Sequence, residues 1–177
     1  MSLLIRIMLQ QVKVIIMQAQ NLRTTQITRL RLACIGIGTE MKNIKKMHRK
    51  QIENLLQQTP EQRHDYFIRY CSDFEQVWGL VVGDDNWVIF KDADGDEIFP
   101  LWPHHDLAEA CCFDEHKKMG AKPQPIGLES FIRNCIPDMV SDGVYFGIFY
   151  DNFRTGLAVE GETLKAELEE EVGTVWE

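Results

Sequence analysis

The sequence predicts one α+β domain, with an antiparallel or mixed sheet of about five strands and helices packed mainly on one face of that sheet. Residues 77–103 alternate short apolar runs with acidic, glycine-containing turns, which is typical of strands joined by hairpins. Apolar residues recur with helical periodicity before and after this stretch. Strands grouped in twos and threes between helices favour an α+β fold over a series of βαβ units.

Length and charge bound the class of protein. The 177 residues, 45% of them hydrophobic, suffice for one domain with a hydrophobic core. The net charge of −8 is uneven, because residues 1–40 contain five basic residues and one acid whereas residues 41–177 contain 14 basic and 26 acidic residues. An acidic body repels phosphate backbones, so we expect no nucleic-acid partner. Apolar runs fall short of the roughly 18 residues of a membrane span, so we expect no membrane partner.

Residues 1–40 differ in composition from the rest of the chain. They are basic, nearly free of acids and rich in Ile, Leu, Met and Gln. Basic residues interrupt the apolar stretches, which disfavours a secretory signal, whereas an organellar transit peptide also has an Arg-rich, acid-poor composition. We interpret residues 1–40 as a basic leader or extension outside the fold, and residues 41–177 as the single α+β domain.

Two helices are predicted before the sheet. Apolar residues in 43–58 fall mostly at three- and four-residue spacings. A second helix starts at Thr59 as N-cap, with Pro60 in the first turn and Gln62 completing a capping box. Its aromatic residues are expected to pack on the sheet: Tyr66, Phe67, Tyr70 and Phe74.

The central stretch is predicted to form a three-stranded meander, with strands at 76–82, 87–91 and 98–102. Pro100 has no N–H to donate, which predicts that the third strand is an edge strand. The rest of the chain is predicted to contain helices at 104–116, 128–139 and 162–171, a proline-bearing loop at 121–125, and strands at 144–150 and 156–160.

The cysteines indicate a reducing compartment. Their number is odd, and one vicinal pair cannot readily bridge itself: Cys34, Cys71, Cys111, Cys112 and Cys135. This pattern is typical of reduced thiols rather than of a secreted disulfide framework, so we expect a cytoplasmic protein. Neither Cys71 nor Cys135 lies in a Cys/His catalytic signature, and the sequence has no glycine-rich phosphate loop, so we expect no catalytic residues.

Two stretches raise the question of metal binding. Residues 92–97 resemble half of an EF-hand, but the sixth position is Glu97 and the twelfth is Pro103, so a solvated hairpin turn explains them better. Three histidines and two cysteines fall within residues 104–116: His104, His105, Cys111, Cys112 and His116.

On one continuous helix, a single face would carry His105, Glu109, Cys112 and His116. His105 and His116 would then lie roughly 16 Å apart along the axis, so only a pair such as Cys112 and His116 could chelate one ion. We expect no metal site and no cofactor.

Aromatic residues provide the remaining binding candidates. Trp78, Trp87 and Trp102 are expected in the core, with a ligand-binding groove as the alternative. Residues 102–104 end a strand and begin a helix, where free backbone N–H groups could receive an anionic group. The candidate binding residues are Arg63, Asp73, Trp78, Trp102 and His104.

The order of these features resembles a known family. The matching elements are Glu61-Gln-Arg63-His-Asp-Tyr66-Phe67, then Asp73, Val77-Trp78-Gly79-Leu80, Pro100-Leu-Trp102-Pro103-His104 and Ala108. This pattern is similar to a bacterial family catalogued as domain of unknown function 2750, over residues 47–170. The resemblance implies a stand-alone cytoplasmic bacterial protein of little over a hundred residues. It implies no catalytic residues, and residues 1–40 have no counterpart in the pattern.

Two hypotheses of function follow. The first is a non-catalytic binding or protein-interaction module, because the distinctive residues are aromatic and the ionisable ones fall in turns and solvated faces; its partner would be a protein or a small molecule. The alternative is a small enzyme or metal-dependent protein that uses His104, His105 or His116, with Arg63 or Asp73 in support. That alternative requires Arg63, Asp73 and His104 to surround one concave site.

Overall fold

The computed structural model describes residues 25–29, 45–84 and 86–175, with side chains described for 45–84 and 86–173. These residues contain seven strands: β1 (Thr25–Arg29), β2 (Gln76–Val82), β3 (Asn86–Lys91), β4 (Glu97–Leu101), β5 (Lys122–Gly127), β6 (Tyr145–Ile148) and β7 (Leu157–Val159).

Six helices are found in the same described residues. Five are continuous α-helices: α1 (Arg49–Leu56), α2 (Pro60–Phe74), α3 (His105–Cys111), α4 (Asp114–Lys118) and α6 (Gly161–Val175). The remaining helix, α5, covers residues 128–141 and contains a π-helical turn, Phe131–Cys135, just before Pro137.

The strands form one open, mixed sheet. Their order is β5-β2-β3-β4-β6-β7, and β1 pairs with β3 off this path. The pair β4–β6 is parallel, and the other pairs of named strands are antiparallel. The predicted single α+β domain with a mixed sheet is confirmed, with more strands than the five expected.

A bridge between two tryptophans joins β2 to the end of β4. The Trp78 N–H donates to the Trp102 carbonyl and the Trp102 N–H donates to the Trp78 carbonyl, both at 2.8 Å. Strand β2 meets β3 only beside their shared turn, at Val81–Trp87 and Val82–Asn86. The bridge therefore places the start of α3 next to β2.

The prolines mark a different edge strand from the one predicted. Strand β4 lies between β3 and β6, so the edge position predicted from Pro100 is wrong. Pro100 lies between Ile98, which pairs with β3, and Trp102, which forms the bridge to β2. No residue of β3 pairs with β4 at Pro100, so the missing N–H costs no hydrogen bond to β3. The loop predicted at 121–125 is also wrong, because residues 122–125 belong to β5.

Strand β5 lies at one end of the sheet and pairs with β2 alone among the described strands. Pro123 and Pro125 are two residues apart, so their missing donors fall on the same edge of the strand. An unpaired edge is where a strand tolerates proline.

Local signals determine the ends of α2. The Gln62 N–H donates to Thr59 Oγ1 at 3.3 Å, and the Thr59 N–H donates to Gln62 Oε1 at 3.0 Å, which confirms the predicted capping box. The helix ends at Glu75, whose φ of 53° is left-handed. There the Leu128 N–H donates to the Glu75 carbonyl, so the end of α2 is tied to the start of α5.

The predicted helix at 104–116 is two helices. Cys112 and Phe113 have extended backbone, with ψ values of 126° and 151°, and they separate α3 from α4. The single face predicted for His105, Glu109, Cys112 and His116 is therefore wrong.

The core consists of two clusters. The larger one combines residues of β2, β3, β4 and β6 with residues of α1, α2, α3, α5 and α6. Trp78, Trp87 and Trp102 are buried, as predicted for core residues. The smaller cluster contains Phe90, Ile98, Phe113 and Tyr150.

The structure describes only part of the predicted N-terminal leader. Of residues 1–40, the structure describes 25–29, whose backbone pairs with residues 86–90 of β3. Cys34 and the rest of that segment lie outside the described residues, and the interpretation of 1–40 as a leader stays a prediction. Among the described helices, none combines the length and the apolar character that crossing a membrane requires.

Candidate functional site

Arg63 lies inside the domain and holds a loop. Its side chain is buried, and Nη2 donates to the Thr155 carbonyl at 3.0 Å. Nη1 lies 3.4 Å from Asp151 Oδ2, and the guanidinium carbon lies 5.7 Å from the centre of the Phe149 ring. Arg63 thus joins the start of α2 to the loop that follows β6.

Asp73 and His104 lie away from Arg63. Asp73 is exposed near the end of α2, about 15 Å along the helix axis from Arg63 at 1.5 Å per residue. His104 is buried and packs edge-on against Tyr70, with 6.0 Å between ring centres. The structure does not gather Arg63, Asp73 and His104 around one site, and it gives no support to an enzyme built from those three residues.

Trp78 and Trp102 position neighbouring segments. The Trp102 indole N–H donates to the Tyr150 carbonyl at 2.9 Å, directly before the loop that Arg63 holds. The Trp78 ring packs edge-on against the His105 ring at 5.3 Å. Both indoles are buried. The ligand-binding role predicted for Trp78, Trp102, Arg63, Asp73 and His104 stays a prediction.

The start of α3 is capped from within the chain. His104 Nδ1 accepts the Asp106 N–H at 3.0 Å, and the His104 carbonyl accepts the N–H groups of Leu107 and Ala108. These bonds use the N–H groups of Asp106 and Leu107, which leaves fewer donors at this helix start for an anionic group. Burial lowers the pKa of His104, although the nearby Asp106 carboxylate acts to raise it.

Asp106 is the most highly connected side chain at this helix start. Its Oδ2 accepts the Met47 N–H at 2.7 Å, and its Oδ1 lies 3.0 Å from His105 Nδ1. Partial burial acts to raise the pKa of Asp106, but the bonds from His105 and Met47 outweigh it and lower that pKa. The residue is therefore held as a carboxylate beside a half-buried histidine.

Sequence reasoning predicted only a turn at residues 151–155, which we call the Asp151 loop, and missed how firmly it is held. Asp151 Oδ1 accepts the N–H groups of Phe153 and Thr155, both at 2.9 Å. The Asp151 N–H donates to the Thr155 carbonyl, and the Arg154 N–H donates to the Asp151 carbonyl, both at 3.0 Å. The loop is closed on itself by four hydrogen bonds before any contact with the rest of the domain.

The rest of the domain also contacts this loop at two places. Arg63 holds Asp151 and Thr155 from α2. Arg154 has a left-handed φ of 63°, and its side chain forms an ion pair with Glu115. The Arg154 guanidinium carbon lies 4.5 Å from the centre of the Phe113 ring, within the range of a cation–π interaction.

The side chain of Phe153 is exposed to solvent at the tip of the Asp151 loop. Its exposed fraction is 83%, compared with 55% for Phe74 and 37% for Val140. The polar turn residues of 151–155 signalled a turn in the sequence, but only the tertiary contacts of Arg63 and Arg154 show that the turn is fixed with a phenyl ring facing solvent.

The vicinal cysteines Cys111 and Cys112 lack the features of activated nucleophiles. Cys71, Cys111, Cys112 and Cys135 are buried. Burial raises the pKa of the Cys111 thiol to about 12 and that of Cys112 to about 11. Since the thiolate is the reactive form, neither thiol is an activated nucleophile at neutral pH.

The fold and the surface define a small single-domain α+β protein with a fixed, aromatic-tipped loop. A family model described as "Protein of unknown function (DUF2750)" matches residues 64–168, which include β2–β7 and the Asp151 loop. The chain belongs to the DUF2750 family, as its motifs indicated. A search of the curated proteins and a search of the solved structures each found no match.

Proposed function

We propose that the domain is a non-catalytic protein-binding module that inserts Phe153 into an apolar pocket of a protein partner. The observation that carries the proposal is a phenyl ring with 83% exposure on a loop that is held by the buried Arg63 and by the ion pair of its own Arg154 with Glu115. A protruding side chain fits a pocket on a macromolecule better than it encloses a small molecule.

Preorganisation makes the Asp151 loop a favourable anchor. Binding through a mobile loop loses affinity to the entropy of ordering that loop. Here the internal hydrogen bonds of Asp151 and the contacts of Arg63 fix the backbone before a partner arrives. Full burial of a Phe side chain contributes about 1.5–3 kcal/mol, and aromatic residues are enriched at the centres of protein interfaces.

Charge indicates the kind of partner. Residues 41–177 contain 26 acidic and 14 basic residues, which favours a basic protein surface around the apolar pocket. The same charge disfavours nucleic acid. We place the protein in the cytoplasm, which the free cysteines Cys71, Cys111 and Cys112 support.

Photo-crosslinking followed by reconstitution tests the proposal. A photoreactive phenylalanine analogue at position 153 of the full chain, expressed in its own organism, should crosslink to one protein. With that protein purified, the Phe153→Ala variant should bind at least about tenfold more weakly than wild type, because an anchoring ring is lost.

Phe74→Ala provides the matched control, since Phe74 is also an exposed aromatic residue but lies at the end of α2. It should leave the dissociation constant within about twofold of wild type. Equal binding by wild type and Phe153→Ala, or the absence of a crosslinked protein, would refute the proposed module.

A further inference from the structure

We propose that His105, Asp106 and Glu109 form a binding site for a divalent transition-metal ion, for which Zn²⁺ is the probe. One ligand atom from each of these residues lies within 4.8 Å of the others. The set differs from the cysteine–histidine pair that the sequence suggested, because Cys112 is buried and donates to the Phe113 carbonyl and His116 lies on α4.

Helical spacing explains why the three side chains converge. Glu109 follows His105 by four residues and Asp106 by three, and both spacings bring side chains together on the surface of a helix. His105 and Asp106 are themselves in contact, with 3.0 Å between Nδ1 and Oδ1. One turn of α3 therefore supplies all three ligands.

The two N-terminal ligands are already oriented by groups outside the set. The buried Trp78 indole packs against the His105 ring, and the Met47 N–H donates to Asp106 Oδ2. Contacts of this kind, behind the ligands, fix ligand orientation in metal sites. Glu109 is exposed and free to move, so it can close the site when an ion enters.

The donor set selects the class of ion. One imidazole nitrogen and two carboxylate oxygens suit Zn²⁺ and similar ions, whereas Mg²⁺ and Ca²⁺ prefer oxygen ligands alone. Three protein ligands leave at least one position for water or a substrate oxygen. Bonds of about 2.0–2.1 Å to nitrogen and 2.0–2.2 Å to oxygen require the ligand atoms to move closer together than 4.8 Å.

The inference is independent of the proposed protein-binding function, because the site uses no residue of the Asp151 loop. Calorimetric titration of the full, untagged, chelator-treated chain with Zn²⁺ tests it. We expect one equivalent to bind to wild type and the Glu109→Gln variant to bind at least tenfold more weakly. Because Glu109 is exposed, its amide variant should retain the wild-type circular dichroism spectrum and melting temperature without metal.

A second variant and a control complete the experiment. His105→Gln should also bind at least tenfold more weakly, whereas His64→Gln, which removes a histidine paired with Glu167 on α6, should bind like wild type. At one Zn²⁺ concentration, the melting temperature should rise more for wild type than for Glu109→Gln. No binding by wild type, or equal binding by wild type and Glu109→Gln, would overturn the site.

Discussion

Several polar side chains are buried in this fold and contribute to its stability or its pH dependence. Arg63, His104 and His116 are each exposed by 5% or less. His104 caps α3, and Arg63 contacts the Asp151 loop through Nη2. Arg63 Nε and Nη1 are buried without a hydrogen-bond partner among the described residues. His116 Nε2 is also buried without a hydrogen-bond partner among the described residues. A buried polar atom without a partner costs free energy, and it costs more when the ring is charged.

His116 should make the domain sensitive to mild acid. Burial lowers the pKa of His116 to about 4, whereas the unfolded chain should titrate near the ordinary histidine value of about 6.5. The unfolded state therefore takes up the proton first, and stability is lost as the pH falls from about 6.5 toward about 4. At pH 5 linkage gives a loss of about 2 kcal/mol from this one group.

Urea unfolding of wild type and His116→Leu at pH 7 and pH 5 measures this effect. The variant removes the titrating ring, so its loss of unfolding free energy between the two pH values should be smaller by about 2 kcal/mol. Carboxylates contribute equally to both proteins and cancel in the difference. Equal losses in the two proteins would show that His116 does not titrate as a buried group.

Among helices and strands, the correctly predicted ends are those that depend on residues close together in the sequence. The capping box at Thr59 and Gln62 placed the start of α2, and acidic turns placed β2 and β3. Asp92 Oδ1 accepts the N–H groups of Asp94, Gly95 and Asp96, as expected of a hairpin turn.

Errors arose where a residue's role depends on distant pairing. A proline marks an unpaired edge, but the sequence does not say which strand has one. Pro100 lies within an internal strand and Pro123 in the edge strand β5, opposite to the prediction. Likewise, the helical spacing predicted that His105 and Glu109 are neighbours. It did not predict that Asp106 belongs to the same cluster, because the position of Asp106 depends on its contacts with Met47 and His105.

Helix α6 offers a matched pair of glycines with opposite expected effects. A Cβ on Gly161 would lie 2.3 Å from Val140 Cγ2 and 2.9 Å from Phe146 Cε2, so Gly161→Ala should lower the unfolding free energy by about 1–3 kcal/mol. Gly173 has nothing within 4 Å of such a Cβ, and alanine is the better helix former. Gly173→Ala should therefore raise the unfolding free energy by about 0.5–1 kcal/mol.

Urea unfolding at neutral pH of the two single variants tests this pair on one helix. Because the same substitution is made in both, a difference between them reports the surroundings of each glycine and not the chemistry of alanine. If Gly161→Ala were as stable as wild type, the close packing of α6 against α5 and β6 would not be as the structure describes it.

The whole molecule combines a basic N-terminal segment with an acidic domain. In the described part of the chain, buried core side chains begin at Met47 and continue to Leu168. This range contains the entire family match at 64–168. Among the described side chains, the fully buried core thus lies within residues 47–168, with Val172 packed against it, and β1 adds backbone pairing with β3.

Removal of residues 1–40 should leave a folded domain. The deletion takes away β1, whose hydrogen bonds to β3 contribute about 0.5–1.5 kcal/mol each, but it leaves the described core side chains in place. We expect cooperative thermal unfolding, with a melting temperature lowered by several degrees. Deletion of residues 1–24, which keeps β1, is the control and should melt like the full chain. Loss of cooperative unfolding in the longer deletion alone would show that β1 is required for the fold, and that residues 1–40 are part of the domain and not a leader.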